Sequence, residues 1–153
     1  MISNIVVTDD GAETSDKAIV EASELAKHMN VKLTLLHVID DIEIPASLIL
    51  GNNRVVIERA QRSIGKALEK GWNQRAKTIM NKLMKDDNIA SIDSKCLNGV
   101  ASEQILEFID SNKVDMVVMG SSRRLKGVSK IRALGSVTRN VSELARCPVL
   151  IIH

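Results

Sequence analysis

A chain of 153 residues with 44% hydrophobic residues can form one domain with a sizeable core, and it is too short for two domains of ordinary size. Trp72 and Phe108 are its only aromatic residues, so the core must be largely aliphatic, and a nucleic acid read by base stacking is not an expected partner. Two cysteines, a net charge of +2 and no apolar stretch of membrane-spanning length predict a cytoplasmic protein without a disulfide framework, a zinc site or a membrane anchor.

The first third of the chain predicts a strand, a helix and a second strand. Ile2 to Val7 is rich in β-branched residues, and apolar residues at helical spacing follow the Asp-Gly turn at 10–11. Thr14 or Ser15 is the predicted N-cap of this helix, and Asn30 is its predicted end. Val31 to Ile39 becomes apolar throughout towards its end, which is typical of a strand covered on both faces.

The middle third predicts a loop, a long helix, an edge strand and a shorter helix. Asp40 to Asn53 has no periodicity and predicts a loop that could form a lid or contact a partner. Helical spacing returns from Ile57 to Leu83 and predicts one long helix. Ala90 to Cys96 alternates weakly with polar residues, which favours the edge of a sheet. Gly99 then leads into a helix whose predicted inner face holds Ala101, Ile105, Phe108 and Ile109.

The last third contains a strand, a glycine-bearing segment, a helix and a final strand. Val114 to Met119 is an apolar run that stops at Gly120, and Gly135 opens a helical pattern that ends near Cys147. A strand, a loop with glycine and a helix N-terminus in this order form a candidate phosphate-binding site, because free backbone N–H groups point out of a helix start. Val149 to Ile152 is the predicted fifth strand.

Positive charge is dense in this last segment. Residues 116–142 hold six basic residues and no acidic one, so the rest of the chain, with fifteen basic and nineteen acidic residues, carries −4. The segment is therefore predicted to concentrate the positive charge of the protein, although such a run can also be a solvated surface. The six residues are Arg123, Arg124, Lys126, Lys130, Arg132 and Arg139.

Five strands alternating with four helices predict an α/β doubly wound sheet in a single domain over residues 1–153. In such a sheet a ligand binds outside the carboxyl ends of the strands, where the strand order reverses. No Walker A motif and no G-x-G-x-x-G motif after the first strand is present, which excludes those two nucleotide-binding classes.

Three stretches together resemble the universal stress protein family. Residues 10–15 (DGAETS) are similar to the family's DGSExS turn, and residues 33–39 (LTLLHVI) to its LxLLHVV strand. The order MG, GSV and CPVLII at 119–120, 135–137 and 147–152 resembles its phosphate loop and last strand. Gly120 and Gly135 match the first and last glycines of that loop, whereas Arg123 stands at the middle glycine and the loop is two residues longer. The resemblance implies a Rossmann-like, open five-stranded parallel sheet of order 3-2-1-4-5 with helices on both faces.

The resemblance also implies a site for ATP or AMP, with or without Mg²⁺. Its adenine would meet the end of the second strand, its phosphates would meet the glycine/serine loop, and an aspartate would face the nucleotide. The implied binding residues are Asp10, Val38, Ile39, Asp40, Gly120, Ser121, Arg123, Gly127, Gly135, Ser136 and Val137.

Structural alternatives exist for the main site residues. Asp10 could form only an Asx turn, and Ser136 could only cap its own helix. His37 is interpreted as a core residue whose hydrogen bonds are satisfied, and it is given no catalytic role.

Three functions are compatible with these observations. The first is a cytoplasmic stress-response protein that binds an adenine nucleotide and acts as a dimeric regulator. The second is a nucleotide-free dimeric interaction protein of the same fold, in keeping with the incomplete glycine motif. The third is an enzyme of the related adenine-nucleotide hydrolases, with slow ATP hydrolysis at most. A homodimer is expected through the apolar edge strand Pro148 to Ile152, because an unpaired strand edge invites a second strand.

Overall fold

Strands and helices alternate along the computed structural model, which describes residues 1–41, 44, 45, 47, 49, 53–86, 89, 91–121 and 134–153. Their order confirms the predicted alternation, and the bounds of the last strand agree with the prediction residue for residue. The elements are β1 (Asn4–Thr8), α1 (Glu13–Met29), β2 (Lys32–Ile39), α2 (Arg54–Asp86), β3 (Ile92–Asn98), α3 (Ala101–Ser111), β4 (Met116–Gly120), α4 (Ser136–Leu144) and β5 (Val149–Ile152).

The strands form one parallel sheet in the order β3-β2-β1-β4-β5. The central strand β1 pairs on both sides, and Ile5 lies opposite Leu33 of β2 and Met116 of β4. The weak third strand lies at an edge, as its alternation predicted. The strand order reverses between β1 and β4, so a ligand is expected beside the carboxyl ends of these strands.

Helices cover both faces of the sheet. Ile5 and Val7 face a core cluster that includes residues of α1 and α2, whereas Val6 faces a second cluster with residues of α3 and α4. This alternation follows from the two-residue period of a strand. All three side chains are fully buried. The doubly wound, Rossmann-like fold with helices on both faces is therefore confirmed.

The start of α1 differs from the prediction. Its N-cap is Ala12, without a side-chain cap, so the proposed caps Thr14 and Ser15 are wrong. The Ser15 hydroxyl donates a hydrogen bond to the Ala12 carbonyl at 2.7 Å inside the first turn. The helix begins early because the preceding aspartate turn already fixes the chain direction. Its end is as predicted, with Asn30 in the left-handed region at φ 53°.

The helix α2 is continuous over 33 residues, as its periodicity predicted. It carries nine basic and three acidic residues, a net charge of +6. The chain outside α2 and residues 116–142 then has six basic and sixteen acidic residues, a net charge of −10. The prediction that positive charge is concentrated in the last segment alone is thus wrong, because a second basic region lies on α2.

Some predictions fall outside the described residues. These are the roles of Arg123 and Gly127 and most of the apolar loop between β2 and α2. Among the helices that the structure describes, none is long and apolar enough to cross a membrane.

Candidate functional site

A cleft of about 380 Å³ opens at the carboxyl ends of β1, β2 and β4, where the strand order reverses. Apolar side chains of β2, α3 and β4 form part of its wall, and acidic side chains follow β1 and β2. The N-terminus of α4 closes another side. The cleft therefore lies at the place that the predicted topology indicated for a ligand.

Seven of the predicted binding residues line this cleft: Asp10, Val38, Asp40, Gly120, Gly135, Ser136 and Val137. Two others lie elsewhere. Ile39 is buried and lines a neighbouring cleft against α2. Ser121 accepts the Gly135 N–H at 3.4 Å and donates its own N–H to the Ile152 carbonyl at 2.7 Å. The backbone of Ser121 therefore connects the end of β4 to Gly135 and to β5.

The N-terminus of α4 has no side-chain cap. Gly135 is the N-cap residue, and Ser136 is already the first helical residue. The interpretation that Ser136 caps its own helix is thus wrong. Among the described residues, the first backbone N–H to bond inside the helix is that of Arg139, which donates to the Gly135 carbonyl at 2.9 Å. The earlier N–H groups belong to Ser136, Val137 and Thr138, which line the cleft, and such groups bind anions.

Gly120 is required for packing. A Cβ atom at this position would lie 2.7 Å from the Thr14 carbonyl carbon and 2.8 Å from the Ser15 nitrogen. Only glycine lets the end of β4 approach the first turn of α1 so closely. The Gly120 carbonyl accepts a hydrogen bond from the Thr138 hydroxyl at 3.0 Å, so β4, α1 and α4 meet at this glycine.

The two adjacent aspartates after β1 have different environments. Asp10 is exposed, and its Oδ1 accepts the Ala12 N–H at 2.9 Å in an Asx turn, while the residue also lines the cleft. Asp9 is buried, and both of its carboxylate oxygens accept hydrogen bonds from Arg75 of α2, at 2.7 and 3.0 Å. Arg75 also donates to Asp16 at 2.6 Å. The sequence interpretation missed this network, because Arg75 is 66 residues from Asp9 and no local pattern marks it.

The charge state of Asp9 follows from this arrangement. Burial raises the pKa of its carboxyl group, but the hydrogen bonds and positive charge of Arg75 lower it, with help from Gly11 and Ser15, and the net pKa lies below the ordinary value of 3.8. The hydrogen bond to Asp9 raises the pKa of Arg75, so both groups are charged at neutral pH.

His37 is held by two neighbours. Its Nδ1 lies 2.6 Å from the Asp9 carbonyl oxygen, and because that oxygen can only accept, Nδ1 donates. The ring stacks on Trp72 with centroids 5.5 Å apart. His37 therefore has the satisfied hydrogen bond that its core interpretation requires, while its ring contributes to the wall of the cleft.

The whole chain, residues 1–153, matches the model of the universal stress protein family. It is 29% identical over 156 residues to universal stress protein YxiE of Bacillus subtilis, covering 100% of each chain. Universal stress protein UspA from Lactobacillus plantarum has a similar structure, with a TM-score of 0.73 and 21% identity over 99% of this chain and 97% of that chain.

Two further similar structures contain nucleotides. One is a universal stress protein in complex with cAMP, with a TM-score of 0.61 and 24% identity over 99% of this chain and 96% of that chain. The other is the universal stress protein from Archaeoglobus fulgidus in complex with dAMP, with a TM-score of 0.62 and 18% identity over 100% of this chain and 98% of that chain. Because the family model spans every residue and solved members share this fold, the chain belongs to the universal stress protein family.

Proposed function

We propose that this protein binds an adenine nucleotide, AMP or ATP, in the cleft between β1, β2 and β4. The observation that carries the proposal is the uncapped N-terminus of α4, which opens into a cleft where the strand order reverses. A phosphate there would accept hydrogen bonds from the N–H groups of Ser136 and Val137 and interact with the positive end of the helix dipole. The relatives that bind cAMP and dAMP support an adenine nucleotide as the ligand.

The described residues fit such a ligand in size and chemistry. A volume of about 380 Å³ lies within the range of small-molecule sites. Leu36, Val38 and Met119 offer an apolar wall to a base, and the carboxylates of Asp10 and Asp40 could accept hydrogen bonds from ribose hydroxyls. In the part of the chain that the structure describes, no cluster of three metal-ligating side chains occurs. Mg²⁺ brought by ATP would thus be held chiefly by the phosphates.

We further propose a regulatory role in the cytoplasm in place of catalysis. Two buried hydroxyl groups that line the cleft, those of Ser15 and Thr138, already donate to the Ala12 and Gly120 carbonyls. Their hydrogen bonds support binding more than nucleophilic chemistry.

The nucleotide-free alternative is favoured by one feature, Arg123 at the middle glycine position of the family's phosphate loop.

Ser136→Glu tests the phosphate site. The carboxylate would sit at the positive end of α4, where it stabilises the helix but repels a phosphate. Loss of the phosphate contact, about 2 kcal/mol, corresponds to a roughly 30-fold weaker Kd for AMP in calorimetric titration. Ser142→Glu is the matched control, because it adds the same charge on an exposed position of α4 outside the cleft. Its Kd should remain close to that of the wild type.

Titration of the wild type with ATP and with a non-adenine triphosphate completes the test. The proposal expects binding of AMP or ATP and much weaker binding of the other triphosphate. Undetectable adenine-nucleotide binding by the wild type at millimolar ligand would instead support the nucleotide-free alternative.

We propose that the protein forms a homodimer in which β5 of one copy pairs with β5 of the other. It pairs with β4 on one side only, its Leu150 side chain is 38% exposed, and its other edge is free among the described strands. A second copy pairing along this edge would satisfy its backbone groups and close a two-fold assembly. Leu150→Glu should therefore shift the protein from dimer to monomer in sedimentation velocity. Val55→Glu, at an exposed apolar position on α2, should leave the dimer intact, and a monomeric wild type would rule out the proposal.

A further inference from the structure

One side of α2 carries a row of exposed cations. Arg59, Arg62, Lys66, Lys70 and Lys77 are exposed, and none of them forms an ion pair with another described residue. Other cations of the same helix do form pairs: Arg54 with Glu58, and Arg75 with Asp9 and Asp16. We call the five residues of this row the α2 basic stripe.

The basic stripe runs along one side of α2. Its residues follow one another at intervals of three, four or seven, so they share one side of the helix. With a rise of about 1.5 Å per residue, the stripe is about 27 Å long. Its centre is a shallow groove that Lys66, Lys70 and Lys77 line together with the amides of Asn73 and Gln74 and with Glu69. The groove thus offers mainly cationic and amide donors, which are the groups that contact phosphate oxygens.

Outside α2 and the basic residues 116–142, the net charge of the molecule disfavours a polyanion. The chain outside α2 and residues 116–142 carries −10, so most other surfaces repel a negatively charged partner. Trp72 and Ala76 of α2 are buried. Between residues 59 and 77 the exposed large apolar residues are Ile64 and Leu68, and each lies two positions from a stripe cation, so both lie on another side of the helix. The exposed side of the central part of α2 is therefore suited to electrostatic contacts.

We propose that the α2 basic stripe binds double-helical nucleic acid through its phosphates, without reading sequence. A duplex presents one phosphate per about 3.4 Å along each strand, a row of charges that a stripe of this length can contact. Single strands are normally held by bases stacked on aromatic side chains, and neither aromatic residue of this chain is exposed. A duplex keeps its bases stacked inside the double helix. The lack of exposed aromatic residues argues against reading of bases, but contacts to the phosphates do not need such residues.

Fluorescence anisotropy with a labelled mixed-sequence DNA duplex of about 20 base pairs tests the proposal. If all five cations reach phosphates, the logarithm of the association constant falls with the logarithm of salt with a slope of about −4.5. A rise from about 50 to 200 mM salt then weakens binding roughly 500-fold. Lys66→Gln/Lys70→Gln should reduce the slope by about 2 and weaken binding of every duplex alike.

The matched control is Lys82→Gln/Lys85→Gln, which removes the same charge from exposed positions on another side of the same helix. It should leave the salt slope unchanged, and both double variants should unfold at the wild-type temperature. No anisotropy change for the wild type at about 50 mM salt overturns the proposal, as does an equal loss of affinity in the control. Saturable binding of inorganic polyphosphate without binding of the duplex overturns it as well.

Discussion

Gly120→Ala is expected to destabilise the fold by about 3 kcal/mol, at the upper end of overpacking effects. The new Cβ would lie 2.7 to 2.8 Å from backbone atoms of Thr14 and Ser15, and backbone cannot move aside as a flexible side chain can. Strand β4 would have to separate from α1, which also weakens the hydrogen bond between Thr138 and the Gly120 carbonyl. Urea denaturation followed by circular dichroism measures the free energy of unfolding.

Gly65→Ala is the control for this prediction. Gly65 lies inside α2, and nothing lies within 4 Å of a Cβ atom placed there. Alanine should stabilise the protein by about 0.5 to 1 kcal/mol, because glycine loses more conformational entropy in a helix. The same chemical change should thus have opposite signs at the two sites. Equal effects would show that the close approach at Gly120 is not what requires glycine.

Asp9→Asn is expected to lower the free energy of unfolding by about 2 to 3 kcal/mol. Breaking a buried ion pair usually costs about 3 to 5 kcal/mol, because one charge stays behind without its partner. The Asp9 side chain is 1% exposed, but that of Arg75 is 35% exposed, and water reduces the cost on the arginine side. The substitution also replaces one carboxylate oxygen by an NH2 group, which cannot accept the hydrogen bonds that Gly11 and Arg75 donate to Asp9.

Asp16→Asn is the matched control for Asp9→Asn. Asp16 contacts the same guanidinium group, but its side chain is 59% exposed. Its loss should change the free energy of unfolding by less than about 1 kcal/mol. If Asp16→Asn lowers the free energy of unfolding as much as Asp9→Asn does, burial of the Asp9 carboxylate is not the cause of the larger effect.

The contribution of Asp9 should depend on pH in one direction. Because its folded-state pKa lies below the ordinary value of 3.8, the stabilisation is complete above that value and is lost as the pH falls through the folded-state pKa. The difference in stability between wild type and Asp9→Asn should therefore be constant from about pH 5 to 8 and shrink below about pH 4. Urea denaturation at each pH measures it, and a difference that grows on acidification would show that the pKa is raised.

Local patterns predicted most of the architecture. Helical spacing along α2 and the apolar runs of β2 and β4 depend on neighbouring residues only, so they can be read without knowing the fold. The strand order came from the family resemblance of three short stretches, and the sheet confirms it. Most predicted binding residues meet in one cleft because they follow strand ends or open a helix, and parallel strands bring such positions to the same edge.

The contacts that join distant parts of the chain were decided only by the tertiary structure. Whether Asp9 or Asp10 is buried depends on where α2 places Arg75, and whether Gly120 can be replaced depends on how closely α1 approaches β4. The regular spacing of cations along α2 is visible in the sequence, but it does not show that five of them form no ion pair with another described residue. The physical reason is the separation along the chain over which each effect acts. Periodicity and turn chemistry depend on residues a few positions apart, whereas burial, ion pairing and close packing arise between elements that meet only after folding.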